Sequence, residues 1–467
     1  MKRGLLLGFL LFALAAGCAL APRVRSPQPK ERAASRARKV PTAREHSKNV
    51  LVTVVDGDTG GLVRGARVAG GRRTDRTDAR GVARLRLYRR AAVLVTVSKP
   101  GYLSRTVRLW FRRYPRSAVR IYQRRLQWPA YGVTATRTQD QSDIRLRPPF
   151  KVAWSRDLGG LLEFPAVVWQ GVAYIGNYHG QVYAIELREG KVVWRYDPGR
   201  YGKMASSPAV FGSDLVVHGM DGVVRVLDRR TGRLRWRFVT GSPIESSPVI
   251  AGSTDFFGAW NGRIYALDLR RRRLRWTIRP GYKITSSAAL AGGTLYIGDY
   301  GGRLLALSQR TGRIRWVRSV NGRIYGTPAV AAGRVFVPSS DGDSLTAFST
   351  GGRYLWRRST GSYVYSSPAV WRGRVVFGSY NGLLYCVSAR TGGTIWAVGA
   401  GGPVSGAAVV VAGVAYAGST WGRITGVDVR TGRVLLRFPH GEYVPVSGSG
   451  GTLLLHGYSR LYAVRPR

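Results

Sequence analysis

The sequence predicts an all-β chain: an eight-bladed β-propeller of four-stranded blades, its ring closed by an N-terminal strand, preceded by a small β-sandwich. Three observations predict it. A tryptophan returns at Trp154, Trp194, Trp236, Trp276, Trp316, Trp356 and Trp396, with Leu436 in the eighth place, at spacings of 40, 42, 40, 40, 40, 40 and 40. Two families of turns keep the same period: Asp221-Gly222, Asn261-Gly262, Gly301-Gly302, Asp341-Gly342 and Asn381-Gly382, then Arg230-Thr231-Gly232, Arg310-Thr311-Gly312 and Arg390-Thr391-Gly392 before the tryptophan. Asn-Gly and Asp-Gly favour two-residue hairpins because both residues tolerate positive φ. The chain ends supply complementary parts of one unit, since Lys151-Val152-Ala153-Trp154 is a last strand with no partners before it and Val444 to Val464 supplies the first three strands with none after. Units of this length cannot bury both faces of a sheet alone, so they stack radially, and pairing the ends leaves no open edge.

Taken in order, residues 1–21 read as an export signal. Lys2 and Arg3 precede the apolar run Gly4 to Ala16, and Leu14-Ala15-Ala16-Gly17-Cys18 resembles the bacterial lipoprotein processing box, which implies lipidation of Cys18. An uncleaved anchor is the alternative, because the apolar stretch reaches the ~18 residues of a minimal span. Residues 22–49 are rich in Arg, Ser and Pro and read as a basic spacer.

Residues 50–125 alternate apolar and polar, as in Leu51-Val52-Thr53-Val54-Val55 and Val82-Ala83-Arg84-Leu85-Arg86-Leu87, with turns at Asp56-Gly57, Gly60-Gly61 and Pro100-Gly101. That is the pattern of a small antiparallel sandwich. Asp56 through Ala66, Thr77-Asp78-Ala79-Arg80-Gly81 and Ser98-Lys99-Pro100-Gly101-Tyr102 resemble the carboxypeptidase-regulatory-like domains, an accessory module in that family. Residues 126–149 read as a linker, and residues 150–467 as the propeller.

The formal charge of +50 comes from 74 basic residues, only nine of them lysines. Arginines recur at the same exposed repeat positions, including Arg229, Arg230, Arg233, Arg310, Arg313, Arg390, Arg430 and Arg433, so a solvated basic face explains most of the excess. Export removes nucleic acid as a partner and leaves anionic surfaces. After Cys18 only Cys386 remains, so the mature chain forms no internal disulfide, and its apolar strand predicts a buried thiol.

The Thr-Gly-x-x-x-Trp signature, with Leu227-Asp228 or Leu307-Ser308 ahead of it and Ser206-Ser207-Pro208-Ala209-Val210 after, resembles the pyrroloquinoline-quinone (PQQ) type of propeller repeat. That family includes quinoprotein dehydrogenases and cofactor-free, BamB-like assembly lipoproteins. The enzyme branch implies a bound quinone with Ca²⁺, adjacent cysteines and a catalytic Asp. This chain has no Cys-Cys pair, and Asp228 and Asp268 stand where an Asx turn needs them. His218 and His456 occupy matching repeat positions, with His179 the nearest other, a weak zinc set. No catalytic residue, cofactor or metal is therefore expected.

Strand alternation puts the B–C hairpins and the D–A loops of all blades on one rim. That rim is aromatic: Tyr178, Trp260, Tyr300, Tyr380, Trp421 and Tyr458 from the hairpins, and Tyr201, Tyr282, Tyr325, Tyr363, Tyr365 and Tyr443 from the loops. Tyr, Trp and Arg are enriched in interfaces, so this rim is the predicted partner surface. The function that follows is a membrane-tethered, extracytoplasmic scaffold, resembling the assembly lipoproteins, that binds a protein partner of the cell envelope. An envelope glycan or anionic polymer as ligand, and a PQQ-dependent dehydrogenase, are the alternatives.

Overall fold

The computed structural model describes residues 47–88, 92–110, 116–199 and 202–467. The predicted signal, Cys18, almost all of the basic spacer and Tyr201 lie outside them. Among the described residues the only helical element is a 3₁₀ turn at Arg124–Leu126, and no helix is long and apolar enough to cross a membrane.

The alternation of the N-terminal segment becomes two four-stranded sheets. Ser47–Asp56 pairs antiparallel with Val82–Tyr88 and parallel with Arg116–Gln123, while Arg67–Gly70 lies between Arg73–Arg76 and Val93–Ser98. Every second residue points inward, so Val50, Val52 and Val54 meet Val68, Leu85, Val95, Val97 and Ile121 in one buried cluster. Asp58, in the loop after the first strand, accepts hydrogen bonds from the Ser449 hydroxyl and the Gln123 N–H. Gly450 and Gly451 lie directly against it, so the segment rests on the hairpin between Val446–Ser449 and Thr452–His456.

Beyond it one sheet recurs. Val167–Trp169, Val172–Gly176, Val182–Glu186 and Val192–Tyr196 pair in chain order, and the pattern repeats from Ala209, Val249, Ala289, Ala329, Ala369 and Val409. Phe150–Asp157 pairs antiparallel with Arg460–Pro466, residues from the two ends of the repeat region. Buried clusters join side chains of successive sheets, as in Val167, Tyr174 and Trp194 with Leu215 and Val217, so the core is a series of inter-sheet layers, one of which spans three sheets and takes in Trp128 and Ile144.

The repeated tryptophan has a structural reason. A bulge just before it, opposite Ala184/Ile185, Val226/Leu227, Ala266/Leu267, Ala306/Leu307, Ala347/Phe348 and Cys386/Val387, shifts the strand's register while the tryptophan itself stays paired, Trp194 with Ala184 and Trp276 with Ala266; the same bulge at Gly426/Val427 precedes Leu436. Its indole N–H then donates to the carbonyl of the next sheet's turn: Trp154 to Leu187, Trp194 to Arg229, Trp276 to Gln309, Trp316 to Thr350, Trp356 to Ala389 and Trp396 to Val429, at 2.9–3.2 Å. The turn glycine lies under the ring. At Gly312 (φ 73°) a Cβ would stand 2.7 Å from Trp276 Cε3. The turn after Trp236 has no glycine, and Arg272 takes the left-handed position there at φ 55°.

The stretch expected as a linker does something else. Trp128, Pro129, Ala135, Thr136, Thr138 and Gln139 accept, through their carbonyls, the N–H groups of Val168, Val210, Leu290, Val330, Val370 and Val410, one from the leading strand of each of six sheets. Asp140–Gln141 then pairs in parallel with Val410–Val411. The segment is thus a strap wound along the inner edges of the sheets. Arg137 pins it: fully buried, its guanidinium donates to the carbonyls of Tyr131, Ser247, Pro248 and Ala288. Burial without a carboxylate partner lowers its pKa to about 10.

Candidate functional site

Each second hairpin is tied back to the loop that enters its own sheet. Tyr178 N–H donates to Leu161 O, Trp260 to Pro243, Tyr300 to Lys283 and Tyr380 to Tyr363, at 2.9–3.0 Å. These bonds hold the hairpin aromatics and the loop aromatics on one side of the array. Tyr300, Tyr325, Tyr365, Tyr380 and Tyr363 form a continuous run, with ring centres 6.5, 5.7, 5.2 and 6.0 Å apart. Trp260 joins through Lys283, whose Nζ stands 3.3 Å from the Trp260 ring centre and 4.8 Å from that of Tyr300.

The other predicted rim residues make no ring contact with that run. Tyr178 is exposed beside Lys203, and Tyr282 is exposed with the Arg303 guanidinium 4.6 Å from its ring centre. Tyr458 is exposed, and Trp421, at 74% the most exposed large side chain of the set, covers Gly402 and shares a groove with Tyr380, Asn381 and Arg423. Tyr325 is only partly exposed: it turns inward, and its hydroxyl donates to Glu245 Oε1.

Inside the aromatic run lies a cup of about 280 Å³. One repeat position builds its wall, for Glu245, Thr285, Tyr325, Tyr365 and Ser405 follow at intervals of 40. Two residues further along each unit the Ser-Ser-Pro motif finds its purpose. Ser207 N–H donates to Ser247 Oγ, Ser247 N–H to Ser287 Oγ and Thr327 N–H to Ser367 Oγ at 2.8–3.0 Å, which stitches neighbouring sheets together beneath the wall. The Tyr131 hydroxyl, from the strap, donates to Ser367 Oγ at 3.0 Å and completes the floor.

Two carboxyls face this space. Glu245 accepts from Tyr325 and, at 3.0 Å, from Trp260 Nε1, and burial raises its pKa. Glu163 has no hydrogen-bond partner among the described residues, and its pKa is pushed up to about 7, first by burial and then by the Glu245 charge. Tyr325 titrates above its ordinary range, again through burial and then Glu245. Sequence reasoning passed over both glutamates. Their signal was positional, an acid in a column otherwise filled by Ala205, Thr285, Tyr325, Tyr365 and Ser405.

The histidines have structural partners. His218 is fully buried, with Nε2 2.9 Å from Asp255 Oδ2 and Nδ1 2.6 Å from Ser246 O, and His456 Nε2 accepts the Ala166 N–H at 3.1 Å. His179 is exposed. Among the described residues no three of His, Cys, Asp and Glu come together as a metal would need. Asp228 caps its own turn by accepting from the N–H groups of Arg230 and Thr231. Cys386 is buried, and burial raises its thiol to about 11.

A family model described as outer membrane protein assembly factor BamB matches residues 148–277, 260–367 and 345–467. Among solved structures, BamB from Moraxella catarrhalis is 19% identical, with a TM-score of 0.58, 68% of this chain covered and 100% of that one. Quinohemoprotein alcohol dehydrogenase from Comamonas testosteroni is 14% identical, with a TM-score of 0.63 over 73% of this chain and 80% of its own. At those identities the likeness is one of fold. Among curated proteins, quinohemoprotein alcohol dehydrogenase ADH IIB from Pseudomonas putida is 28% identical over 82 residues, which is 16% of this chain and 12% of the enzyme. ADH-IIG from the same organism is 30% identical over 96 residues, 18% of this chain and 13% of the enzyme. A quinone with Ca²⁺ does not fit the cup. Calcium takes about 6–8 oxygen ligands, carboxylates prominent among them, and of the two carboxyls here Glu245 has both oxygens engaged.

Proposed function

The chain belongs to the outer membrane protein assembly factor BamB family of PQQ-type repeat propellers, and on that premise we propose that it is a non-catalytic binding protein of the cell envelope. It is exported, held at a membrane through its N-terminus and lipidated at Cys18, and it engages a protein partner through the aromatic rim. In this reading the repeated sheets are eight blades, and the ring closes where Phe150–Asp157 pairs with Arg460–Pro466. Residues 50–125 are an accessory sandwich and residues 22–49 a spacer.

The observation that carries the proposal is the unbroken run of Tyr300, Tyr325, Tyr365, Tyr380 and Tyr363, flanked by exposed Trp421 and Tyr458 on the same side. Large amphipathic rings of this kind dominate interface energetics, and the opposite side offers mainly arginines, with Tyr354 an exposed ring beside its turn.

A photoreactive side chain placed in living cells at Tyr363, Trp421 or Tyr458 should cross-link the protein to one discrete envelope protein. Placed at Arg390 or Arg430 on the turn side it should not. Equal capture from both sides, or none from the rim, removes the rim as the partner surface. The groove between Tyr380, Asn381 and Trp421, about 490 Å³ in volume, favours a glycan as the second reading; specific retention on an envelope-polysaccharide column, lost in Trp421→Ala, would select it.

A further inference from the structure

We propose that the cup at the centre of the rim is a binding site for an alkylammonium group. The claim goes beyond the rim reading: the cup shares Tyr325, Tyr365 and Tyr380 with the aromatic run but needs no macromolecule to be filled.

Four observations converge on a cation. The chain carries 74 basic residues and 24 acidic ones, yet no basic residue lines the cup and two of the acids do. Six aromatic residues line it, Tyr131, Phe164, Tyr325, Tyr365, Tyr380 and Tyr443, and aromatic rings are surroundings that attract an ammonium. Glu163 is half-buried in the cup and makes no hydrogen bond among the described residues, and burial and the Glu245 charge both oppose its ionisation, a cost that a bound cation would relieve. Thr285, at 4% exposure, lines the same cup and its hydroxyl oxygen also lacks a partner. A half-buried carboxyl and the buried Thr285 hydroxyl oxygen thus stand on one small cavity as acceptors for a donor from outside the protein.

The geometry selects an ammonium over a guanidinium. Both oxygens of Glu245 are engaged by Trp260 and Tyr325, which leaves Glu163 as the carboxylate still available. The remaining acceptors are single hydroxyl oxygens. A compact charge with three donors suits such a set, whereas a planar five-donor fork does not. A volume of about 280 Å³ admits an alkyl chain of a few carbons behind the charged head. Lys283, the nearby cation, does not fill the role: its ammonium stands over the faces of Trp260 and Tyr300, and burial lowers its pKa.

Occupancy follows pH. The Glu163 carboxyl faces Glu245, and the Tyr325 and Tyr443 hydroxyls feel its charge while Lys283 lies beyond Glu245. Only the ionised carboxylate pairs with an ammonium. Binding is therefore strongest above about pH 7, where Glu163 is charged and an alkylamine is still protonated, and fades below it.

The test uses the purified full chain and three probes by calorimetry: n-butylammonium, its neutral isostere n-butanol, and a peptide with a single internal lysine. Butylammonium binding at pH 8 that n-butanol does not reproduce, weakened about 10- to 100-fold in Glu163→Gln, is the expected result, the size of one charge-assisted hydrogen bond. Thr285→Val should weaken it less and keep the pH dependence, whereas Glu163→Gln should abolish that dependence. If the peptide binds more tightly than butylammonium the ammonium comes from a partner's lysine; if it does not bind, the ligand is a free amine. Equal binding of butanol and butylammonium by the unaltered chain, or Glu163→Gln binding with unchanged affinity, overturns the proposal. The butanol comparison stands even if a variant fails to fold, and loss of rim cross-linking with butylammonium binding intact would sink only the rim reading.

Discussion

Gly312 and Gly333 make a controlled experiment within one molecule. Both hold nearly the same left-handed backbone, φ 73° and 72°, but a Cβ on Gly312 would stand 2.7 Å from Trp276 Cε3 and one on Gly333 would meet nothing within 4 Å. Gly333→Ala should therefore cost only the backbone strain, about 1–2 kcal/mol. Gly312→Ala adds displacement of the indole, roughly 1–3 kcal/mol of overpacking. It also adds loss of the 3.2 Å bond from Trp276 Nε1 to Gln309 O, worth about 1 kcal/mol. The excess is about 2–4 kcal/mol, which at a urea m-value of about 3 kcal/mol/M moves the midpoint by about 1 M more than Gly333→Ala does. Equilibrium urea unfolding followed by tryptophan fluorescence reads it, with far-UV circular dichroism as the second signal. Trp276→Leu should shrink the excess, since a smaller side chain leaves room for the methyl. Equal losses in the two alanine variants would refute the claim that the repeat's Trp and Gly are one contact seen from two sides.

Arg137→Met removes the donor to four buried carbonyls and should cost at least about 4 kcal/mol, taking the low end of about 1–3 kcal/mol per unsatisfied group. It should also expose the 129–139 strap to limited proteolysis, and an unchanged melting temperature and digest would disprove its pinning role. Glu163 binds more protons folded than unfolded, because its pKa rises from 4.5 to about 7. Its contribution to stability is thus complete below pH 4.5 and lost as pH rises through about 7. Glu163→Gln should gain about 2–3 kcal/mol at pH 8 and nothing at pH 4, checked by urea midpoints across that range. His456 works in the opposite sense: burial lowers its pKa from 6.5 to about 4, so its contribution is complete above pH 6.5 and lost as pH falls through about 4. His456→Gln should flatten that acid limb, leaving a midpoint at pH 4 closer to its value at pH 7 than in the unaltered chain.

The all-β repeat was legible because strand and turn chemistry is local. Trp276 and Gly312 are spaced by the repeat itself, and Asn261-Gly262 specifies its hairpin within two residues. The strap was not legible, for a physical reason: Trp128, Pro129, Ala135, Thr136, Thr138 and Gln139 each satisfy a different sheet, so the segment has no periodicity of its own and its bonds are made by carbonyls that carry no side-chain signature. Arg137 looked like one more basic residue in a chain full of them, and only burial distinguishes it. The rim aromatics could be assigned to one side from strand alternation, but their division into exposed rings such as Trp421 and inward ones such as Tyr325 depends on where each loop bends. Glu163 and Glu245 lie about 80 residues apart in sequence, and it takes the curvature of the array to bring both into one cavity.

The strap and the serine-threonine stitches lie beneath the cup, and its open side is the aromatic rim. Tyr365 and Tyr380 line it together with Glu163. A macromolecule spread across that opening would act as a lid supplied from outside: a small guest has to enter first, and its release can proceed no faster than the lid lifts. Order of loading, and not affinity alone, then decides what the cup contains.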